Sequence, residues 1–269
     1  MVSTTSFPLL RVYPDGEACA RAAAQTFLEL TRASAEANRV FRVALSGGST
    51  PKKLYAILAE EPFRSQIPWS LIHFFVSDER NVPPDHDDSN YGAARRGLFS
   101  KVEVPSANIH RVLTEQSPAV EAAARYQSGI AASFGWKGGK GDEPPRFDLI
   151  FLGMGADGHT ASLFPGTAAL QETGRWVTAN HVPELNTDRI TFTYPLLNRA
   201  ARVLLLVTGA DKADRLATIF GPDAQSDAYP VQRVRPSDGT VEWYLDEAAA
   251  AQIPAGLLHR EAAAAAVQA

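Results

Sequence analysis

The sequence predicts an α/β fold with a mostly parallel sheet flanked by helices, together with a few extra short strands. Short, continuously apolar runs alternate along the chain with longer amphipathic or alanine-rich stretches. Strands that are apolar on both faces are typical of a parallel sheet covered by helices on both sides. Hydrophobic residues make up 45% and charged residues 21% of the chain, which argues against a disordered or fibrous protein.

The individual elements follow from hydrophobic periodicity and from the residues that interrupt it. Apolar runs predict strands at Leu9–Tyr13, Arg42–Leu45, Leu71–Ser77, Phe147–Leu152, Trp176–Ala179, Arg189–Phe192, Val203–Val207 and Thr240–Leu245. Helical spacing predicts helices at Glu17–Arg39, Pro51–Glu60, Ser89–Phe99, Ala119–Phe134, Lys212–Phe220 and Glu247–Gln268. We interpret the glycine- and charge-rich stretch Gly135–Pro145 as a surface loop, because a strand follows it directly, and we predict one domain over residues 1–269.

Charge and cysteine content limit the partners of the protein. The net charge of −4 argues against general electrostatic binding to nucleic acid or to an anionic membrane, because both need an excess of basic residues. Cys19 is the single cysteine, so no intramolecular disulfide is expected. Residues 1–10 lack the features of a signal peptide, and no apolar run approaches the roughly 20 residues of a membrane span. We therefore expect a cytoplasmic protein, and a homo-oligomer is compatible with the sequence.

The loop after the second predicted strand has the residue types of an anion site. In sheets of this kind ligands bind at the carboxyl ends of the strands, so the informative residues follow the strands directly. Gly47, Gly48, Ser49 and Thr50 precede a predicted helix, with Thr50 as the expected N-cap. Backbone N–H groups and the helix dipole would attract a phosphate there. A tight turn with an ordinary cap explains the same residues equally well.

A second polar segment follows the third predicted strand. It contains Asp78, Glu79 and Arg80, and Asn90 lies shortly after it in the run Asp88–Gly92. The guanidinium of an arginine donates two parallel hydrogen bonds and therefore suits a phosphate or carboxylate. The alternative is a solvated loop with an internal ion pair.

The third segment, Gly153–His159, follows the strand that ends at Leu152. It contains the pattern G-x-G-x-x-G, but a dinucleotide site fits poorly, because the charge of Asp157 would repel a pyrophosphate. We instead interpret the segment as an exposed turn that presents Asp157 and His159. A histidine acts as a general base near neutral pH, and a neighbouring carboxylate orients it and stabilises its charged form.

The fourth segment combines Arg189 with the run Thr208–Lys212, in which Lys212 supplies a further cation near a helix start. A solvated lysine in the first turn of a helix is an equally good interpretation from local sequence. No zinc-ligand spacing surrounds His86, so no metal is expected. No organic cofactor is expected either.

Taken together, these motifs resemble the 6-phosphogluconolactonase family. The runs that carry the resemblance are Ala44–Pro51, Ser77–Arg80, Asp88–Gly92, Gly153–Pro165, Arg189–Thr191 and Thr208–Lys212. The resemblance implies a Rossmann-like α/β fold and the hydrolysis of 6-phospho-D-glucono-1,5-lactone to 6-phosphogluconate in the oxidative pentose phosphate pathway. It also implies that His159 is the catalytic base.

Two catalytic and ten substrate-binding residues are therefore predicted. The catalytic residues are His159 and Asp157. The substrate-binding residues are Gly47, Gly48, Ser49, Thr50, Asp78, Arg80, Asn90, Gly155, Arg189 and Lys212. The expected partner is a small phosphosugar lactone.

Two alternative functions remain at this stage. One is a sugar-phosphate isomerase or deaminase of the glucosamine-6-phosphate deaminase type. That relative carries a catalytic glutamate seven residues after the motif aspartate, where this chain has Phe164, and a tyrosine where this chain has Arg80. The other is a non-catalytic sugar-phosphate sensor, although the α/β pattern leaves no segment for a DNA-binding unit.

Overall fold

The computed structural model describes residues 8–136, 143–222 and 224–261. The strands are β1 Leu9–Tyr13, β2 Phe41–Leu45, β3 Ile72–Val76, β4 Asp78–Arg80, β5 Leu149–Leu152, β6 Val177–Val182, β7 Thr187–Phe192, β8 Arg202–Val207, β9 Thr240–Asp246 and β10 Leu258–Arg260. The α-helices are α1 Gly16–Glu36, α2 Ser49–Leu58, α3 Phe63–Gln66, α4 Asn90–Ala94, α5 Ala119–Ser133, α6 Tyr194–Leu197, α7 Ala213–Phe220 and α8 Glu247–Ala250. Helix α4 continues into a π-helical turn at Arg95–Phe99.

Seven of these strands form a parallel sheet in the order β10-β1-β9-β8-β5-β2-β3. The strands are buried on both faces, which explains their continuous apolar runs. Successive residues of β2 contribute to opposite cores: Val43 and Leu45 pack with α1 and α2, whereas Ala44 packs with α5. The predicted parallel α/β fold is confirmed.

The extra short strands form a separate antiparallel sheet in the order β4-β7-β6. Strand β4 begins two residues after β3 ends, so the chain passes directly from the large sheet to the small one. One face of the small sheet carries Asp78, Arg80 and Arg189, and this face borders the carboxyl end of the large sheet. The sequence predicts β6 and β7 in shorter form and does not predict β4 as a strand.

The predicted C-terminal helix is wrong. Within the described residues 247–261 the α-helix ends at Ala250, a 3₁₀ turn follows at Ala255–Leu257, and β10 then pairs in parallel with β1 at the edge of the sheet. Alanines favour a helix locally, but Pro254 and Gly256 interrupt it, and the free backbone groups of β1 offer the alternative hydrogen bonds. Residues 262–268 of the predicted helix lie outside the described residues, as do residues 137–142 of the predicted surface loop.

No helix in the described ranges is both long enough and apolar enough to cross a membrane.

Candidate active site

A cleft of about 200 Å³ lies at the carboxyl ends of the parallel strands. It is bounded by the loops after β2, β5 and β8 and by strand β4. Ten predicted site residues line it: Gly47, Gly48, Ser49, Thr50, Asp78, Arg80, Asn90, Gly155, His159 and Lys212. Four segments that are far apart in sequence thus meet here, because neighbouring parallel strands end at the same edge.

The glycine-rich loop after β2 presents a helix N-terminus to the cleft. Gly48, not Thr50, is the N-cap of α2, so the sequence-based assignment of the cap is wrong by two residues. In the described part of the chain no side chain caps this helix, which leaves its first N–H groups available to an anion. The Thr50 hydroxyl instead lies 2.8 Å from Oγ1 of Thr208, which ties this loop to the segment that carries Lys212.

The side chain of Asn90 lies against the glycine loop at Gly47. A Cβ atom at Gly47 would lie 1.9 Å from Oδ1 of Asn90, so only glycine permits this approach. Nδ2 of Asn90 donates to the backbone oxygen of Asp78 at 2.9 Å. The buried side chain therefore joins the glycine loop to β4.

Glu79 is a structural carboxylate and not a ligand of the cleft. Its oxygens accept hydrogen bonds from the N–H groups of Arg80 at 2.8 Å, Asn90 at 2.7 Å and Tyr91 at 2.8 Å. Burial raises the pKa of Glu79 despite these bonds. By holding the start of α4 against β4, Glu79 places Asn90 beside the loop. The alternative of a solvated loop with an internal ion pair does not describe Glu79, because this carboxylate is buried and accepts from backbone N–H groups.

The turn after β5 presents a histidine–aspartate pair. Nδ1 of His159 lies 2.6 Å from Oδ1 of Asp157, and that oxygen also accepts the N–H of His159 at 3.1 Å. A Cβ atom at Gly155 would lie 2.2 Å from Nδ1 of His159, so glycine is required beneath the ring. The Phe164 ring stacks on the imidazole with centroids 4.0 Å apart. Asp157 therefore fixes the Nδ1 edge of the imidazole, and Phe164 covers one face of the ring.

The electrostatics of this pair favour an ionised Asp157. Partial burial acts to raise the pKa of Asp157, but the hydrogen bonds and charge of His159 outweigh it and lower the pKa overall. The carboxylate accepts the proton of Nδ1, which leaves Nε2 of His159 as the nitrogen that can take a proton from a bound molecule.

A second pocket of about 390 Å³ adjoins the first. Asp78, Arg80, His159 and Ala161 line both, whereas Asp157 and Arg189 line the second and, among the described residues, not the first. The structure therefore separates Arg189 from Lys212, which the sequence had grouped together. Nζ of Lys212 lies 2.7 Å from Oδ2 of Asp211 at the edge of the first pocket.

A buried polar network that the sequence does not predict holds the His159 loop. The Ser162 hydroxyl donates to Oδ2 of Asp78 at 2.7 Å, and Nδ2 of Asn180 donates to the backbone oxygen of Ser162 at 2.9 Å. Asn180 belongs to β6 of the small sheet. Ser162 stands within the motif run, but nothing local indicates its contact with a residue 84 positions away.

Ala161, next to Ser162, adopts φ +49°, a left-handed conformation that is uncommon outside glycine.

Among the described residues no group of three or more His, Cys, Asp or Glu side chains is arranged to hold a metal ion.

The fold and cleft define an α/β protein that presents a helix N-terminus and cations beside a histidine–aspartate pair. The family model for glucosamine-6-phosphate isomerases/6-phosphogluconolactonase matches residues 14–243, and the chain belongs to this family.

Individual relatives agree with this assignment. A 6-phosphogluconolactonase from Nostoc sp. is 45% identical over 79% of this chain and 85% of its own length. That from Synechocystis sp. is 43% identical over 82% of this chain and 87% of its own length. The structure of 6-phosphogluconolactonase from Trypanosoma cruzi matches 91% of this chain and 96% of that chain with a TM-score of 0.80 at 32% identity. The predicted family, fold class and enzyme class are therefore confirmed.

Proposed function

We propose that the protein hydrolyses 6-phospho-D-glucono-1,5-lactone to 6-phosphogluconate, with His159 as general base. The observation that carries the proposal is that His159 lines the same cleft as the Gly47–Thr50 loop. A phosphorylated lactone needs one site for its phosphate and one for a proton acceptor near C1. Both are within one small cleft here, and the named activity of the relatives supports the same reaction.

The phosphate would bind at the N-terminus of α2. The N–H groups of this helix start are uncapped, and Lys212 and Arg80 line the same cleft. Helix dipole and cations together favour a dianion at this position. Anchoring the distant phosphate lets its binding energy hold C1 against the catalytic groups.

The chemical step would begin with water beside Nε2 of His159. The imidazole takes one proton as the water oxygen attacks C1, and a tetrahedral oxyanion forms. The bond between C1 and the ring oxygen then breaks, and the proton on His159 passes to that oxygen. The carboxylic acid so formed loses its proton to solvent. Asp157 keeps Nδ1 protonated and stabilises the transient imidazolium.

Phe164 disfavours the deaminase alternative. The position at which a deaminase has a catalytic glutamate here carries an aromatic ring stacked on His159. A phenyl ring can neither donate nor accept a proton, whereas it can fix the plane of an imidazole. Lactone hydrolysis needs only one acid–base group, so Phe164 is compatible with that reaction.

The direct test generates the lactone from glucose 6-phosphate in situ and follows the release of acid, corrected for spontaneous hydrolysis. We expect turnover well above the spontaneous rate and no ammonia from glucosamine 6-phosphate. Ammonia release would assign the deaminase activity instead. Tight binding of 6-phosphogluconate without any turnover would indicate the sensor. The cytoplasmic location, the single domain and the possible homo-oligomer remain predictions from the sequence.

A further inference from the structure

Two arginines face each other across the small sheet. In the antiparallel pairing of β4 with β7, Arg80 lies directly opposite Arg189. Side chains of directly opposed residues project from the same face of a sheet, with their Cβ atoms about 5 Å apart. Both arginines line the second pocket, next to His159. This end of the cleft therefore carries two adjacent positive charges.

The carboxylates of Asp78 and Asp157 line the same pocket and partly offset these charges. Within the described ranges neither arginine forms an ion pair with a carboxylate within 4.0 Å, although Arg80 donates to the backbone oxygen of Asp88. The Nε atom of Arg189 is buried and has no hydrogen-bond partner. Asp78, a carboxylate on the same face of the small sheet, accepts a hydrogen bond from the Ser162 hydroxyl at 2.7 Å. Burial and the charge of Arg80 lower the pKa of Arg189, and the charges of nearby carboxylates, which act in the opposite direction, do not outweigh them.

Opposed like charges destabilise a sheet, and a buried donor without a partner costs further free energy. A bound anion would relieve both costs, since a guanidinium pairs with planar carboxylates through two parallel hydrogen bonds. Among the described residues, Arg80 lines both pockets, whereas Arg189 lines the second and not the first. Arg189 lies with Asp157, His159 and Phe164, and it lies apart from the Gly47–Thr50 loop and Lys212. The molecule thus has two anion positions on either side of the catalytic histidine.

We propose that Arg189 binds the carboxylate that hydrolysis creates at C1 and stabilises the oxyanion that precedes it, whereas Arg80, which lines both pockets, serves the phosphate. This inference rests on the proposed function. The substrate carries one anionic group, its phosphate, whereas the product carries a phosphate at one end and a carboxylate at the other. Two separated cationic positions match the product and the charge that develops at C1. Arg189 is thereby a further catalytic residue for the reaction.

The test compares two ligands that differ only at C1. 6-Phosphogluconate has a carboxylate there, and glucitol 6-phosphate has a hydroxymethyl group. Calorimetry measures the binding of each to the wild type and to Arg189→Gln. We expect Arg189→Gln to lower the affinity for 6-phosphogluconate about 10-fold or more, because a charged hydrogen-bond pair at C1 is removed. The affinity for glucitol 6-phosphate should fall less than about 2-fold. The same variant should lower kcat while KM stays near the wild-type value.

Two further variants serve as controls. Arg175→Gln removes an exposed arginine whose described ion-pair partner is Glu172, at 3.7 Å, and should leave both affinities unchanged. Arg189→Lys keeps the charge but loses the planar fork, so it should recover part of the carboxylate affinity. The melting temperature of Arg189→Gln without ligand should match or exceed that of the wild type, because one of two opposed like charges is gone.

Three outcomes would overturn the subsite. If Arg189→Gln loses affinity equally for both ligands, Arg189 binds the phosphate. If both affinities are unchanged, Arg189 does not contact the ligand. If Arg189→Gln melts at a lower temperature but still prefers 6-phosphogluconate over glucitol 6-phosphate as strongly as the wild type does, Arg189 has a structural role only. If the wild type binds neither ligand and hydrolyses no lactone, the proposed function fails together with the subsite, which is distinguishable from a failure confined to the variant.

Discussion

Nδ1 of His159 lies 2.6 Å from Oδ1 of Asp157, and the imidazole borders both pockets of the cleft. A second histidine–aspartate pair shows what this contact means in isolation. Nδ1 of His181 lies 2.9 Å from Oδ1 of Asp188, yet that pair is exposed on the β6–β7 hairpin and, among the described residues, lines neither pocket. The two pairs have similar contacts, so the surrounding cleft and not the contact itself distinguishes the candidate catalytic pair.

The first prediction concerns the base. His159→Ala should lower kcat by about 10²–10⁴-fold, because general-base assistance is lost, while the affinity for phosphate stays near that of the wild type. Steady-state lactonase kinetics and phosphate binding by calorimetry measure the two effects. His181→Ala is the matched control and should keep full turnover. Wild-type turnover in His159→Ala would show that the base is another group.

The second prediction concerns the phosphate cradle. Lys212→Met and Arg80→Ala should each raise KM strongly, because each removes a cation that lines the cleft. About 10-fold is expected per hydrogen-bonded charge. Lys52→Met, on the exposed side of α2, is the control for Lys212→Met and should leave KM unchanged. An unchanged KM in either test variant would remove that residue from the anion site.

The third prediction concerns the glycine beneath the histidine. In Gly155→Ala the new methyl group would lie 2.2 Å from Nδ1 of His159 and 2.5 Å from Oδ1 of Asp157. The ring must move, and a displacement of about 1 Å costs roughly 10²-fold in rate. We therefore expect a large loss of kcat with the fold retained, measured by kinetics and circular dichroism.

Gly129→Ala is the control for that substitution. Gly129 lies within α5, where an added Cβ meets no atom within 4 Å. Alanine at an exposed helix position stabilises by about 0.5–1 kcal/mol relative to glycine and should leave kcat unchanged. Full activity in Gly155→Ala would show that the observed ring position is not needed for turnover.

The fourth prediction concerns the pH dependence of stability. At the opposite end of β3 from the cleft, Nδ1 of His73 lies 3.0 Å from Nε2 of His110. Burial, aided by the charges of His73 and Arg42, lowers the pKa of His110 to about 4. The unfolded chain binds the proton with a pKa near 6.5, so His110 contributes stability above that pH and loses it as the pH falls toward 4.

After allowance for the partial exposure of His110, this loss should be on the order of 1 kcal/mol. Denaturant unfolding at pH 7 and pH 5 measures it. His110→Gln should reduce the difference between the two pH values, whereas His181→Gln at the exposed pair should not. An unchanged difference in His110→Gln would assign the acid sensitivity to other groups.

Several features of the site could be predicted because they depend on neighbours in the chain. The turn that carries Asp157 and His159 is a local pattern of glycines and polar residues after an apolar strand, and its hydrogen bond joins residues two positions apart. The anion loop likewise depends on a strand, two glycines and a helix start. Only the position of the N-cap differs from the prediction, because Gly48 and Thr50 are both residue types that occur at a helix N-cap.

Contacts between distant residues could not be predicted in the same way. The hydroxyl of Ser162 and the carboxylate of Asp78 meet across 84 positions, and no local periodicity encodes that meeting. The C-terminal helix failed for a related reason. Alanine propensity there competes with open hydrogen-bonding groups on β1, and the sequence does not display the edge of a sheet that forms only on folding.

The sequence by itself determined the alternation of buried strands and helices, the family and the chemical types available to a site, since these depend on composition and short-range order. Only the tertiary structure decided which of those groups share a space. It placed Lys212 beside the glycine loop and Arg189 opposite Arg80, because strand order and register in the two sheets bring together residues that the chain itself keeps far apart.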